Sequence, residues 1–136
     1  MTITYRLNYP IDPEDAVDIY GRAGLQRPQD IRKIKNMLQH SNVIVTAWDG
    51  ATLVGLLRAM TDFSFDCYLN DLAADSVYQR QGIGRGMIEQ LAKLLDDKVL
   101  IMLISSPDAI GFYESIGFTS GSEPYGQTMC MSVTRN

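Results

Sequence analysis

"LNDLAADSVYQRQGIGRGMIEQL", residues 69–91, decides how this chain is read. A strand-like opening runs into a turn with glycine at 82, 84 and 86. The turn opens into a segment whose apolar residues, Met87, Ile88, Leu91, Leu94 and Leu95, trace one helix face that ends near Asp96-Asp97. Glycines at alternate positions expose backbone N–H groups beside a helix N-terminus, an arrangement that binds phosphate or pyrophosphate. Arg80 and Arg85 add positive charge where the helix dipole disfavours cations unless an anion is bound. The competing reading is a tight strand-to-helix turn with glycines for backbone geometry alone. No G-x-x-x-x-G-K-[ST] string occurs, and the dinucleotide fingerprint fails because Met87 stands where its third glycine belongs.

Upstream, "TITYRL" alternates like a short strand. "IDPEDAVDIYGRAG" begins a helix with Asp12 as cap, Pro13 in the first turn and Gly24 as stop. A second helix is expected from about Pro28 to His40, with "GLQRP" between the two as a hinge or gating loop. "NVIVTAWDGATLVGLLRAM" is a hairpin around Asp49-Gly50, and "FSFDCYLNDLAA" continues as a strand with Phe63, Phe65, Cys67 and Leu69 alternating against polar neighbours. Downstream, "KVLIMLIS" is apolar on both sides, as a central strand would be. "SPDAIGFYESIGF" is a helix capped by Ser106, and "GQTMCMSVTRN" is a closing strand. The order β-α-α-β-β-β-α-β-α-β is an α/β plan with a mixed, mostly antiparallel sheet, in which one crossover helix joins two parallel strands. A single domain over residues 1–136 is expected.

With 12 basic against 16 acidic residues, the chain has no cationic surplus to neutralise nucleic-acid phosphates. Cys67 and Cys130 lie far apart among apolar residues, which predicts reduced core thiols. The longest unbroken apolar run, "VLIMLI", is far short of a membrane span, and "MTITYRLNYP" lacks a signal-peptide core, so a cytoplasmic location is expected. Neither zinc-ligand spacing nor a G-x-S-x-G elbow is present, and no metal is expected.

Gln79-Arg80-Gln81-Gly82-Ile83-Gly84 resembles the Q/R-x-x-G-x-G/A motif of the GNAT superfamily of acyl-CoA-dependent N-acetyltransferases, and "SPDAIGFYESIGF" resembles its A-x-x-F-Y-x-x-x-G-F motif. The two motifs stand in the right order, and the resemblance covers nearly the whole chain. It implies a pyrophosphate cradle of backbone N–H groups from Gln81 through Ile83 to Gly84, flanked by Gln79 and Arg80, with Arg85 adding charge. It implies a pantetheine arm pairing with the strand that ends "LAA", and an acetyl carbonyl near Leu72, Ala73 and Ala74. Ser106 stands where an asparagine often contacts that arm, and Ala74 stands where a larger aliphatic is usual.

Acetyl transfer needs a deprotonated amine, a donor for the oxyanion and a proton for the leaving thiolate. The resemblance carries the last role to Tyr113, beside Phe112. For the base Asp71 is favoured, with Tyr68 and Asn70 as alternatives on the other strand face, and an acceptor of low pKa would need none. Between Thr61 and Tyr78 there are four acids, Asp62, Asp66, Asp71 and Asp75, and no lysine or arginine, which favours a cationic acceptor. The expectation is an N-acetyltransferase using acetyl-CoA on a small-molecule or peptide amine within a ternary complex, with homodimerisation possible. The alternatives are a non-catalytic acyl-CoA-binding module or an enzyme with a different acyl donor.

Overall fold

The computed structural model describes residues 2–78 and 80–119. Gln79, Cys130 and the expected closing strand lie outside the described residues. The chain forms two compact units, residues 1–103 and 104–136.

The first unit is a five-stranded mixed sheet, of order β1 (Ile3–Leu7), β2 (Val43–Asp49), β3 (Thr52–Thr61), β4 (Asp66–Ala74) and β5 (Leu100–Met102). The first four strands run antiparallel, and β5 joins β4 in parallel after the crossover helix α3 (Ile83–Ala92). Two helices, α1 (Pro13–Ala23) and α2 (Ile31–Gln39), connect β1 to β2.

The helices divide between the faces of the sheet. Ala16, Ile19 and Tyr20 of α1 and Ile34 of α2 pack with Leu53, Leu56 and Ala73 of the sheet. Each large side chain buried there contributes about 2 kcal/mol. The other face takes α3: Gly55 of β3 is held against Met87 and Ile83, and Gly86 of α3 lies against the Tyr5 ring of β1. Side chains at either glycine would collide with these neighbours, so Gly86 answers to packing rather than to an anion.

Local signals account for most boundaries. Pro13 opens α1, although the Asp12 side chain makes no cap bond, and Gly24 closes it at φ 71°. The second helix starts at Ile31 rather than Pro28, because Asp30 takes the cap position and accepts from the Arg32 amide. Phe63 and Phe65 are exposed and precede β4. Their turn is organised by Asp62, whose Oδ1 accepts from the amides of Ser64, Phe65 and Asp66. The expected central strand at 98–105 is confined to Leu100–Met102, none of them fully buried.

Two irregularities shape β4 and its surroundings. Arg58 pairs with Asp71 and Ala59 with Leu69, so Asn70 is an extra residue in β4, and Asn70 and Asp71 together oppose Arg58. The register therefore puts Asp71 and Tyr68 on one face and Leu69 and Cys67 on the other. Simple alternation, which separates Asp71 from Tyr68, is corrected by this bulge. The second irregularity is the length of β5, which pairs only with Asp66, Cys67 and Tyr68.

In the second unit, α4 (Ile110–Ser115) follows a turn of 3-10 helix at Pro107–Ala109. Gly117 ends this segment at φ 107°.

Candidate active site

Because β5 stops at Met102, Leu69 to Ala74 of β4 have no strand partner on that side among the described residues. This open edge leads into the glycine turn. Asp75 shapes the exit: its amide donates to the Val54 carbonyl, Oδ1 accepts from the Val77 amide, and Oδ2 accepts from Arg22 Nη1 at 2.6 Å. Tyr78 then ties the loop to the β2 end through Asp49 Oδ2 at 2.7 Å.

Arg80 and Gly82 both adopt the left-handed conformation, at φ 67° and 76°. For Arg80 this conformation costs about 1 kcal/mol, strain that clusters at ligand-binding loops. Gly82 precedes α3 directly and supplies no side-chain cap. The first amides of α3, at Ile83, Gly84 and Arg85, have no acceptor one turn earlier within the helix and stand at its positive end. Arg80 and Gln81 are exposed beside them, and Arg85 is exposed 3.4 Å from Glu89. The arrangement is fit to receive a polyanion.

At the other end of the open edge lies a buried ionic cluster. Asp71, 2% exposed, accepts from Arg58 Nε and the Tyr20 hydroxyl on Oδ2 and from Arg27 Nε on Oδ1, each at 2.6 Å. Arg27 also donates to the carbonyls of Gln26 and Asn70, and Arg58 Nη1 donates to Ser41 Oγ. Burial by itself would raise the Asp71 carboxyl. Hydrogen bonds from Arg58 and Tyr20, the Arg58 charge and the Arg27 bond outweigh it and hold the carboxyl below the usual range.

A carboxylate with both oxygens so engaged is a poor proton acceptor. This geometry fits a structural anion better than the base expected of Asp71. Part of the acidic stretch is paired within the protein, Asp71 with two arginines and Asp75 with Arg22, while Asp62 keeps its charge and accepts from backbone amides. Asp71 and Asp75 are therefore not free to draw a cationic acceptor. Sequence reasoning missed Tyr20, Arg22, Arg27 and Arg58. Only Arg58 left a signal, as a lone cation inside the apolar run "LVGLLRAM".

Of the other expected residues, Leu72, Ala73 and Ala74 line the open part of β4, with Ala73 buried against the α1–α2 side. Tyr68 is exposed, and Asn70 Oδ1 is buried without a hydrogen-bond partner. Ser106, Phe112 and Tyr113 belong to the second unit. There the Tyr113 ring meets Phe112 and Phe118 edge-on at 5.2 and 5.5 Å, and the Tyr113 carbonyl accepts from the Phe118 amide. Ser106 occupies a cap position, but its side chain makes no cap bond. Among the described residues no helix is long and apolar enough to cross a membrane.

Residues 14–131 match the family model described as an acetyltransferase (GNAT) domain. The chain is 34% identical, over 100 residues, to an uncharacterized N-acetyltransferase of Porphyra purpurea, a match covering 69% of this chain and 56% of that protein. The chain thus spans only 28 to 56% of the length of the first curated relatives it matches. A GNAT-family acetyltransferase from Streptococcus pneumoniae superposes with a TM-score of 0.81 at 28% identity, covering 99% of this chain and all of that one. An N-acetyltransferase from Thermoplasma acidophilum, solved in complex with coenzyme A, shares the fold at a TM-score of 0.68 and 19% identity, covering 93% of this chain and 96% of that one.

Proposed function

Because the chain belongs to the GNAT acetyltransferase family, we propose that it moves the acetyl group of acetyl-CoA to a primary amine by direct attack within a ternary complex. The observation that carries this reading is the β4 edge that has no strand partner beyond Tyr68 among the described residues, continuous with the strained turn and the positive end of α3. A thioester on a long polar arm, ending in a pyrophosphate, matches those two features in that order. The coenzyme A complex of the Thermoplasma acidophilum protein supports the choice of donor.

In this reading the amides from Gln81 to Gly84 hold the pyrophosphate, with Gln79, Arg80 and Arg85 around it. The backbone of Leu72, Ala73 and Ala74 orients the arm. A β4 amide near the bulge donates to the carbonyl oxygen as it becomes an oxyanion, a role that needs a rigid donor. Arg27, Arg58 and Tyr20, gathered on Asp71, supply that rigidity. The amine nitrogen bonds to the carbonyl carbon and the C–S bond breaks. The nitrogen loses its proton to water, since Asp71 is occupied; the family's second motif carries protonation of the thiolate to Tyr113 and contact with the coenzyme to Ser106 and Phe112.

The test is a thermal-unfolding scan with acetyl-CoA, using NAD and ATP as controls, followed by an assay of amine-dependent thiol release. Ligand at a hundred times its dissociation constant adds about 2.7 kcal/mol of stability. A shift with acetyl-CoA alone, together with amine-dependent release, is the expected result. A shift without release for any amine would leave a coenzyme-binding module, and no shift at millimolar coenzyme would overturn the reading.

A further inference from the structure

Met60, Tyr68 and Met102 form one continuous line across three strands: Met60 is the register partner of Tyr68 in β3, and Met102 is its partner in β5. All three are exposed, by 40, 38 and 43%. Three large apolar side chains side by side on a sheet are ordinarily covered, because water contact with them is unfavourable. This line lies on the face that carries Asp71, beyond the reach of the core that α1 and α2 form with Leu53, Leu56 and Ala73. It also marks the place where β4 and β5 part, because Tyr68–Met102 is their last pair. One residue past Leu69 stands Asn70, whose Oδ1 is buried and has no donor. A buried acceptor without a donor is unfavourable, and a ligand N–H removes that penalty.

We infer that the acceptor is a primary amine carrying an uncharged, hydrocarbon-rich body. The body rests on Met60, Tyr68 and Met102, and the nitrogen donates to Asn70 Oδ1. The inference rests on the acetyl-transfer reading and narrows its acceptor. Charge supports it over a polycationic one. Two guanidinium groups gather on the single carboxylate of Asp71, leaving a formal surplus of positive charge beside Asn70. Asp66, in the next register pair on that face, is exposed to solvent.

The experiment compares kcat/KM of the whole chain with acetyl-CoA for hexylamine and 2-phenylethylamine against spermidine, glucosamine and free lysine. Acetyl-CoA affinity is followed separately by the melting shift. The apolar amines are expected to exceed the hydrophilic ones at least about tenfold, the scale on which an apolar pocket discriminates. Tyr68→Ala and Asn70→Ala are each expected to raise KM for the apolar amines about tenfold while the acetyl-CoA melting shift stays unchanged. Equal or better turnover of spermidine or glucosamine overturns the inference and leaves acetyl transfer standing. So does an unchanged KM in a Tyr68→Ala protein that still melts with the wild type. Loss of the acetyl-CoA shift itself in the wild type overturns the function proposal and this inference with it.

Discussion

The hydroxyl of Tyr20 in α1 donates to Oδ2 of Asp71 in β4 at 2.6 Å, onto the same oxygen that receives Arg58 Nε from β3. Burial, and then the Asp71 charge, push the Tyr20 phenol well above its ordinary value, so it remains a donor at every physiological pH. With Arg27 from the α1–α2 loop on Oδ1, three other segments of chain converge on this one carboxylate of β4. The bulge of β4 is thereby fixed from both sides.

Asp71→Asn removes the charge that compensates two guanidinium groups. Breaking a buried ion pair from one side costs about 3 kcal/mol or more. A large fall in the urea midpoint is therefore expected, together with weakened catalysis. A variant with wild-type stability and a selectively altered pH–rate profile would restore Asp71 to the role of base. Arg27→Ala, at a partly exposed partner, is expected to cost less, about 1 kcal/mol.

Acid should reproduce the loss reversibly. The Asp71 carboxyl sits below its unfolded value of about 3.9, so its stabilisation is fully present above that pH and is lost as pH falls through the lower, folded value. Denaturant titrations from pH 7 down to 3 should show the wild type losing stability below about pH 4. The gap between wild type and Asp71→Asn should narrow over the same window.

Gly82→Ala and Gly86→Ala should separate two kinds of glycine. An added methyl at Gly82 meets nothing within 4 Å, but φ is 76°, so the cost is conformational, about 1 kcal/mol, and falls on the turn. Acetyl-CoA affinity by calorimetry should drop about tenfold, with the fold retained. At Gly86 the methyl overlaps the Tyr5 hydroxyl. Overpacking of about 1–3 kcal/mol is expected there, partly relieved by Tyr5→Ala in a double-mutant cycle.

Tyr113→Phe keeps the ring that packs on Phe112 and Phe118 and deletes only the hydroxyl. A general acid contributes about a hundredfold or more. Under saturating acetyl-CoA, kcat should fall by that order in a protein that still folds and binds acetyl-CoA. Full retention of kcat would remove Tyr113 from the mechanism.

Much of this was legible in the residues. Pro13 and Gly24 delimit α1, Asp49-Gly50 makes the hairpin, and Gly82 starts α3, because each signal acts through its own backbone within a few residues. The family and the mixed sheet flanked by helices follow from motifs of the same local kind. Asp71 was visible as a residue but not as a member of its cluster: Arg27 and Tyr20 lie 44 and 51 positions away, and no spacing rule connects them.

The sequence by itself determined the order of elements, the glycine turn at the head of α3 and the family to which the chain belongs. Only the tertiary structure decided which acids are free, which face Asp71 occupies and where the sheet opens. Those outcomes depend on one extra residue at Asn70 and on the short reach of β5. A strand has a side-chain period of two, so a single inserted residue moves everything beyond it to the opposite face. Pairing energies between distant segments set that insertion, and they are not written in either segment alone.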